Sequence, residues 1–219
     1  MRKIPKELSR KDFLKGMGSA LAGATVLGGV GSVLMGCEEA GVEDQGGASR
    51  PAWPFSYSPL DGEKVARRAY KAFKEKGGCG IGVSEGFFGT LAEDVGYPFN
   101  QIPPEAFIGA LGGYSLQNSL CGPLGVAATC IGSVSEAAVQ KELISELFQW
   151  YKDHPFPQYQ PGGMNLATTI AGSVICNDSV ELYMRVQGCG YDNDKRKERC
   201  AGVAAEVARK TVELLNKRV

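Results

Sequence analysis

From residue 61 onward the apolar residues recur at three- and four-residue spacings. No stretch alternates apolar with polar residues as a half-buried strand requires. A chain built this way can bury its apolar faces only by packing helix on helix. Over residues 62–76, Val65, Ala66, Ala69, Tyr70 and Phe73 fall on one face, and Gly77-Gly78 is a stop signal. A Gly-rich, apolar helix is expected from about Cys79 to Val95, with a short one after Pro103-Pro104. Pro123 suits the first turn of a helix over about 123–133. Ser135-Glu136 opens a longer helix to about Lys152, another spans roughly 173–187, and the last runs from about Lys195 to Lys217. Between them, 154–166 is a Pro-rich loop. The expected fold is an all-α, compact bundle of about six to seven helices.

The N-terminal part follows a different pattern. Arg2, Lys3, Lys6, Arg10, Lys11 and Lys15 crowd the first fifteen residues, and a weakly apolar Gly- and Ala-rich stretch runs from Gly16 to Met35. A charged region followed by an apolar one is the layout of an export signal. Leu34-Met35-Gly36-Cys37 resembles a bacterial lipoprotein cleavage box, which makes Cys37 the lipidated N-terminus and residues 1–36 the signal peptide. A membrane-spanning helix is the alternative, weakened by the glycines. Ser9-Arg10-Lys11-Asp12-Phe13-Leu14-Lys15 resembles the twin-arginine export motif, with Lys11 where its second Arg belongs. Residues 37–60 are rich in Glu, Gly, Pro and Ser and read as the lipidated Cys and a flexible tether. The helical domain then covers 61–219.

Composition excludes several function classes. With 43% hydrophobic and 22% charged residues the chain is of ordinary globular make-up, and 24 basic side chains balance 24 acidic ones. Removing residues 1–36 takes away six basic and two acidic side chains and leaves a net of −4. Nothing here resembles the basic face of a nucleic-acid binder. The single histidine, His154, excludes any site that needs two imidazoles from one chain. It stands at an expected helix end, where a surface or C-capping role is expected.

Six cysteines follow Cys37: Cys79, Cys121, Cys130, Cys176, Cys189 and Cys200. No two are spaced Cys-x-x-Cys, so c-type haem attachment, a zinc ribbon and a thioredoxin-like motif are all missing. Cys79, Cys176 and Cys200 each head an apolar helical stripe, and Cys121 precedes the helix that Pro123 begins. Helix starts offer free N–H groups and a partial positive charge, an environment that favours thiolate and suits the sulfurs of a metal cluster. On pattern alone, a metal or redox role, disulfides and inert buried thiols all stay open.

A resemblance narrows this. Gly77-Gly-Cys79-Gly-Ile-Gly-Val83, Ser119-Leu-Cys121-Gly-Pro-Leu-Gly-Val-Ala127, the run Pro155 to Pro161, Ser173-Val-Ile-Cys176 and Arg199-Cys200-Ala-Gly together resemble the exported domain of split-Soret cytochromes. They also resemble the wider redox-active family named C-GCAxxG-C-C. The likeness covers about residues 60–219. It implies that Cys79, Cys121, Cys176 and Cys200 are the metal ligands, binding an iron–sulfur cluster. It also implies a homodimer. Around Cys121 the chain departs from the motif, with Pro123 read in place of its Ala and the later Gly read as displaced. Split-Soret cytochromes carry covalent haem, whereas this chain lacks Cys-x-x-Cys-His, so a haem-less relative is expected.

The expected function is therefore an exported, lipid-anchored protein, periplasmic or on the outer face of the cell membrane. It passes electrons to a redox partner protein and acts more as a carrier than as an enzyme. The alternative is a disulfide-stabilised lipoprotein with a binding or scaffold role, and a thiol-disulfide enzyme using Cys79 or Cys121 is a third reading. Cys130 and Cys189 lie outside the four-cysteine set and read as a disulfide pair, auxiliary ligands or inert thiols. Gly80, Gly82 and Gly86 read as close helix packing rather than a phosphate cradle, Asp192-Asn193-Asp194 as a solvated turn, and Lys195–Arg199 as a solvated helix face.

Overall fold

The computed structural model describes residues 50–219. The export signal, the lipoprotein box with Cys37 and the first part of the tether lie outside the described residues. Asp61 opens the first helix: its carboxylate accepts the N–H of Glu63 and of Lys64 and so caps α1 (Gly62–Ala72). Val65, Ala66, Ala69 and Ala72 form its buried face. A π turn over Phe73–Gly77 carries the chain on, and Gly77 and Gly78 end it at φ of 76° and 105°, values that favour glycine.

The next helix, α2 (Cys79–Asp94), is apolar nearly all round and lies at the centre of the bundle. α1 can lie close against it because Gly82 and Gly86 carry no side chain. A Cβ at Gly86 would sit 2.8 Å from Ala69 Cβ, and one at Gly82 would sit 3.0 Å from the Ala69 carbonyl. The glycine run is close helix packing, as its sequence context implies. Short 3₁₀ turns at Phe99–Gln101 and Pro104–Ala110 lead on to α3 (Gly122–Val134). Then come α4 (Ala137–Asp153) and α5 (Cys176–Gln187). The longest helix, α6 (Asp194–Asn216), is capped by the Asn193 side chain on the Lys195 N–H at 2.9 Å. It packs on both α1 and α2, with α3 and α4 alongside. The described residues form an all-α bundle; their only β-type contacts are the isolated bridges Leu120–Ile175 and Phe156–Thr169.

The expected tether is docked over its last part. Trp53 Nε1 donates to the Gly132 carbonyl at 2.8 Å, and the Phe55 N–H donates to that of Ser133 at 2.9 Å. Phe55 meets Phe99 edge-on, Tyr57 stacks on Phe87, and Leu60 is 5% exposed. The packed domain thus begins near Trp53 rather than at residue 61. The prolines suggested a tether, but aromatics at every second residue give this stretch a face to bury.

Candidate metal centre

Two cysteines are brought together by a single antiparallel contact. The Cys121 N–H donates to the Val174 carbonyl at 2.9 Å, and the Cys176 N–H to the Ser119 carbonyl at 2.7 Å. α3 departs directly after Cys121 and α5 begins at Cys176. Cys79, the first residue of α2, arrives beside Gly122, where a Cβ would lie 3.0 Å from Cys79 Cβ and collide with the Ala110 carbonyl. Cys200 comes from the second turn of α6, so unlike the other three it is not at a helix start.

All four are buried, and each of the first three feels its neighbours' charge. Burial pushes the Cys79 thiol well above its ordinary range, and Cys200, Cys121 and Cys176 push it further. Burial and then Cys176 push Cys121 up to about 12; burial and then Cys200 push Cys176 up to about 11. This corrects the expectation that helix starts would favour thiolate here. Loss of water and mutual repulsion outweigh the helix-terminal field. Two donors act the other way, the Gly112 N–H on Cys79 and the Tyr151 hydroxyl on Cys121. Among the described residues no three Cys, His, Asp or Glu side chains are set to hold a single metal ion.

The charge that answers these sulfurs lies next to one of them. Arg199 is 1% exposed and forms no ion pair among the described residues. Its Nη2 donates to Ser179 Oγ at 2.6 Å, while Nε, also buried, has no partner. Burial opposes its charge, but Cys200, Tyr151 and Cys121 outweigh that and raise its affinity for its proton. A buried guanidinium without a carboxylate is costly. Among the described residues, the acidic groups that act on it are Cys200, Tyr151 and Cys121. Arg199 and Glu198 thus point inward, against the reading of Lys195–Arg199 as a solvated face. The signal was available: Arg199 stands four residues before Val203, on the buried side of α6.

Tyr151, fully buried, places its hydroxyl 3.1 Å from Cys121 Sγ and 3.2 Å from Ser179 Oγ. The segment that crosses the site is left-handed, with φ of 60° at Gly112, 68° at Gly113, 62° at Tyr114, 51° at Ser115 and 63° at Leu116. Three of those five residues carry side chains, a conformation that costs about 1–2 kcal/mol each and persists only where the surroundings enforce it. Here the turn brings Gly112 to Cys79 and Gly113 against Cys176, where a Cβ would sit 2.7 Å from the cysteine's own. It also lays the Tyr114 ring over Gly125, where a Cβ would collide with the phenol. Nothing in the sequence signals a left-handed turn at Tyr114, Ser115 and Leu116.

The remaining site expectations fall elsewhere. All six cysteines of the described residues carry free thiols, so Cys130 and Cys189 are not joined. Cys130 is buried in α3, and Cys189 is half-buried after the left-handed Gly188 that ends α5. His154 follows α4, its N–H on the Trp150 carbonyl, as a capping residue would be. Its Nε2 donates to Glu206 Oε2 at 2.7 Å, a partner the sequence did not suggest, and it contacts none of the cysteines.

The profile of a family described as "Putative redox-active protein (C_GCAxxG_C_C)" matches residues 83–214, a span holding Cys121, Cys176 and Cys200. The split-Soret cytochrome c of Desulfovibrio desulfuricans is 28% identical over 221 residues, covering 97% of this chain and 79% of that protein. A solved structure described as a novel iron centre in that cytochrome matches with a TM-score of 0.70 and 29% identity, covering 74% of this chain and 71% of its own. In the register of Gly-Cys-Ala-x-x-Gly, with Cys121 as the motif cysteine, Gly125 falls on the final glycine. That glycine is therefore in place rather than displaced; the departures are Leu120 for the first Gly and Gly122 for Ala.

Proposed function

Because the chain belongs to the C_GCAxxG_C_C family, we propose that it is a haem-less redox protein holding an iron–sulfur centre on Cys79, Cys121, Cys176 and Cys200. The observation that carries this reading is Arg199, a buried cation beside thiols, with no carboxylate to balance it among the described residues. An anionic, thiolate-bound centre supplies that balance. A polynuclear cluster also attaches its sulfurs to different irons, which suits thiols that are neighbours without closing on one ion. Such a centre, when bound, supplies a one-electron couple. The chain's own residues do the rest. Three cysteines at or just before helix starts and one from α6 fix the sulfurs. Gly112 and Tyr151 donate hydrogen bonds to two of them, and the left-handed turn keeps water off.

The iron centre described in the split-Soret cytochrome supports iron as the metal. Covalent haem does not fit these residues: no cysteines stand in Cys-x-x-Cys-His, and the single His154 is engaged by Glu206. We further place the protein outside the cytoplasm, anchored through a lipid on Cys37. The support is the box Leu34–Cys37 and the twin-arginine-like Ser9–Lys15. A cluster built in the cytoplasm requires export of a folded chain, which that route provides. The family resemblance favours a homodimer and a separate redox partner protein.

Purification of the full chain without oxygen, followed by iron and acid-labile sulfide analysis and a visible spectrum, tests the reading. Iron with matching sulfide, and absorption that bleaches on reduction, is the expected result. A folded, colourless, metal-free protein overturns it.

A further inference from the structure

Resting on that reading, we propose that Tyr151 is a positioning residue that sets the potential of the centre through the sulfur of Cys121, held in place by Ser179 and Arg199. Tyr151 Oη lies between Ser179 and Cys121, within hydrogen-bond reach of both. A guanidinium has donors only, so Ser179 Oγ accepts from Arg199 at 2.6 Å. Ser179 Oγ in turn stands 3.2 Å from Tyr151 Oη and holds the phenol by a hydrogen bond. The phenolic proton in turn faces Cys121 Sγ at 3.1 Å. Tyr151 is fully buried, so no water competes for its hydroxyl.

A donor on a ligand sulfur strengthens as the sulfur gains negative charge. It stabilises the reduced state more than the oxidised state and raises the potential. No bond forms or breaks at Tyr151. A bound centre would supply a one-electron couple fed by a reduced partner protein, and the phenolic proton would stay on Tyr151 throughout. The row is anchored by the same Arg199 that balances the sulfur charge, so the residues that hold the phenol also shape the local field. None of the three side chains is a sulfur ligand. Neither Tyr151 nor Ser179 carries a sequence signal of its own.

Tyr151→Phe keeps the ring, which packs against Phe156 at 4.8 Å between centroids, and deletes only the donor. Ser179→Ala removes the group that orients it. The full chain and both variants, prepared without oxygen, are titrated potentiometrically while the visible absorption is followed, with iron counted in each. Tyr151→Phe should keep its iron and titrate at a more negative potential than the parent. Ser179→Ala should shift the same way by less. Equal potentials for Tyr151→Phe and the parent, with iron retained, overturn the proposal and leave the iron–sulfur reading standing. If Tyr151→Phe does not hold iron, Ser179→Ala decides: a negative shift supports the role and an unchanged potential overturns it. A parent without iron or a reducible couple overturns both.

Discussion

Two buried charges sit two turns apart on α6, and the fold treats them in opposite ways. Glu206 is fully enclosed and fully answered. Its Oε1 accepts the N–H of Gln158 at 2.8 Å and of Tyr159 at 2.9 Å, and its Oε2 takes the His154 ring at 2.7 Å. Glu198 is handled alike, by the Tyr70 hydroxyl and by Lys74 at 2.5 Å. Arg199 has one serine, an unpartnered Nε and a group of thiols. One helix therefore shows that this chain can neutralise buried charge from within. The Glu206 end pins the Pro-rich loop and stabilises the fold; on the proposed reading, the Arg199 end is balanced by what the thiols bind.

The sharpest way to break that contrast is Arg199→Met. Removing the cation should lower iron affinity about 10–100-fold, as loss of a supporting group around a metal does. The metal-free protein should lose little stability, since an apolar side chain replaces an unbalanced buried charge. Iron binding by calorimetry and urea unfolding of the metal-free chain read the two effects separately. Iron affinity equal to the parent's would remove Arg199 from the centre. Glu206→Ala should do the reverse. It strands two backbone N–H groups and His154, and should cost about 3–5 kcal/mol in unfolding free energy. The iron-to-protein ratio of the folded fraction should be unchanged; a loss of iron there would mean that the two ends are coupled.

A smaller effect comes from the thiols. With an ordinary value of 9.0, Cys121 is pushed up to about 12 and Cys176 to about 11. Each proton is thus held more tightly in the folded chain than in the unfolded one. The metal-free protein keeps its full stability below about pH 9. Above it the unfolded chain ionises first, and stability falls by up to about 1.4 kcal/mol per pH unit for each such thiol as pH rises toward 11–12. Tyr57, pushed up to about 12 by burial, acts in the same direction, so Cys121→Ala should reduce the slope without abolishing it. An unchanged slope would place the pH dependence outside the centre.

How much of this the sequence carried depends on the range of each signal. Helix positions were legible because caps, stops and 3.6-residue spacing are local: Asn193, Gly77-Gly78 and the stripe from Cys200 to Leu214 act within a few turns. The four cysteines were legible as a set through the family likeness, not through spacing, because the contact at Leu120 and Ile175 that pairs two of them spans 55 residues of sequence. What stayed hidden is decided by what comes to lie opposite. Trp53 and Phe55 look like tether residues until the Trp53 ring N–H bonds Gly132 and Phe55 meets Ser133 and Phe99. The thiols looked easy to ionise until burial reversed the sign. Nothing in the sequence singles out Tyr151, whose role depends on its hydroxyl meeting Cys121 and Ser179.

The smallest predicted effect separates the two ends of α6 most finely. His154 is 21% exposed in its side chain, so its bond to Glu206 can be partly replaced by water, unlike the bonds from Gln158 and Tyr159. His154→Gln keeps a donor near the carboxylate but gives up the ring packed against Trp150 and Phe156, with centroids 4.6 Å away in each case. The expected loss is about 1 kcal/mol by urea unfolding, well below that of Glu206→Ala. Iron content and potential should match the parent, because none of the His154 contacts reaches a cysteine. A loss as large as that of Glu206→Ala would mean that the histidine, rather than the two loop amides, holds the carboxylate. A shifted potential would instead mean that the imidazole acts on the centre, and the division of α6 into a structural end and a centre-facing end would fail.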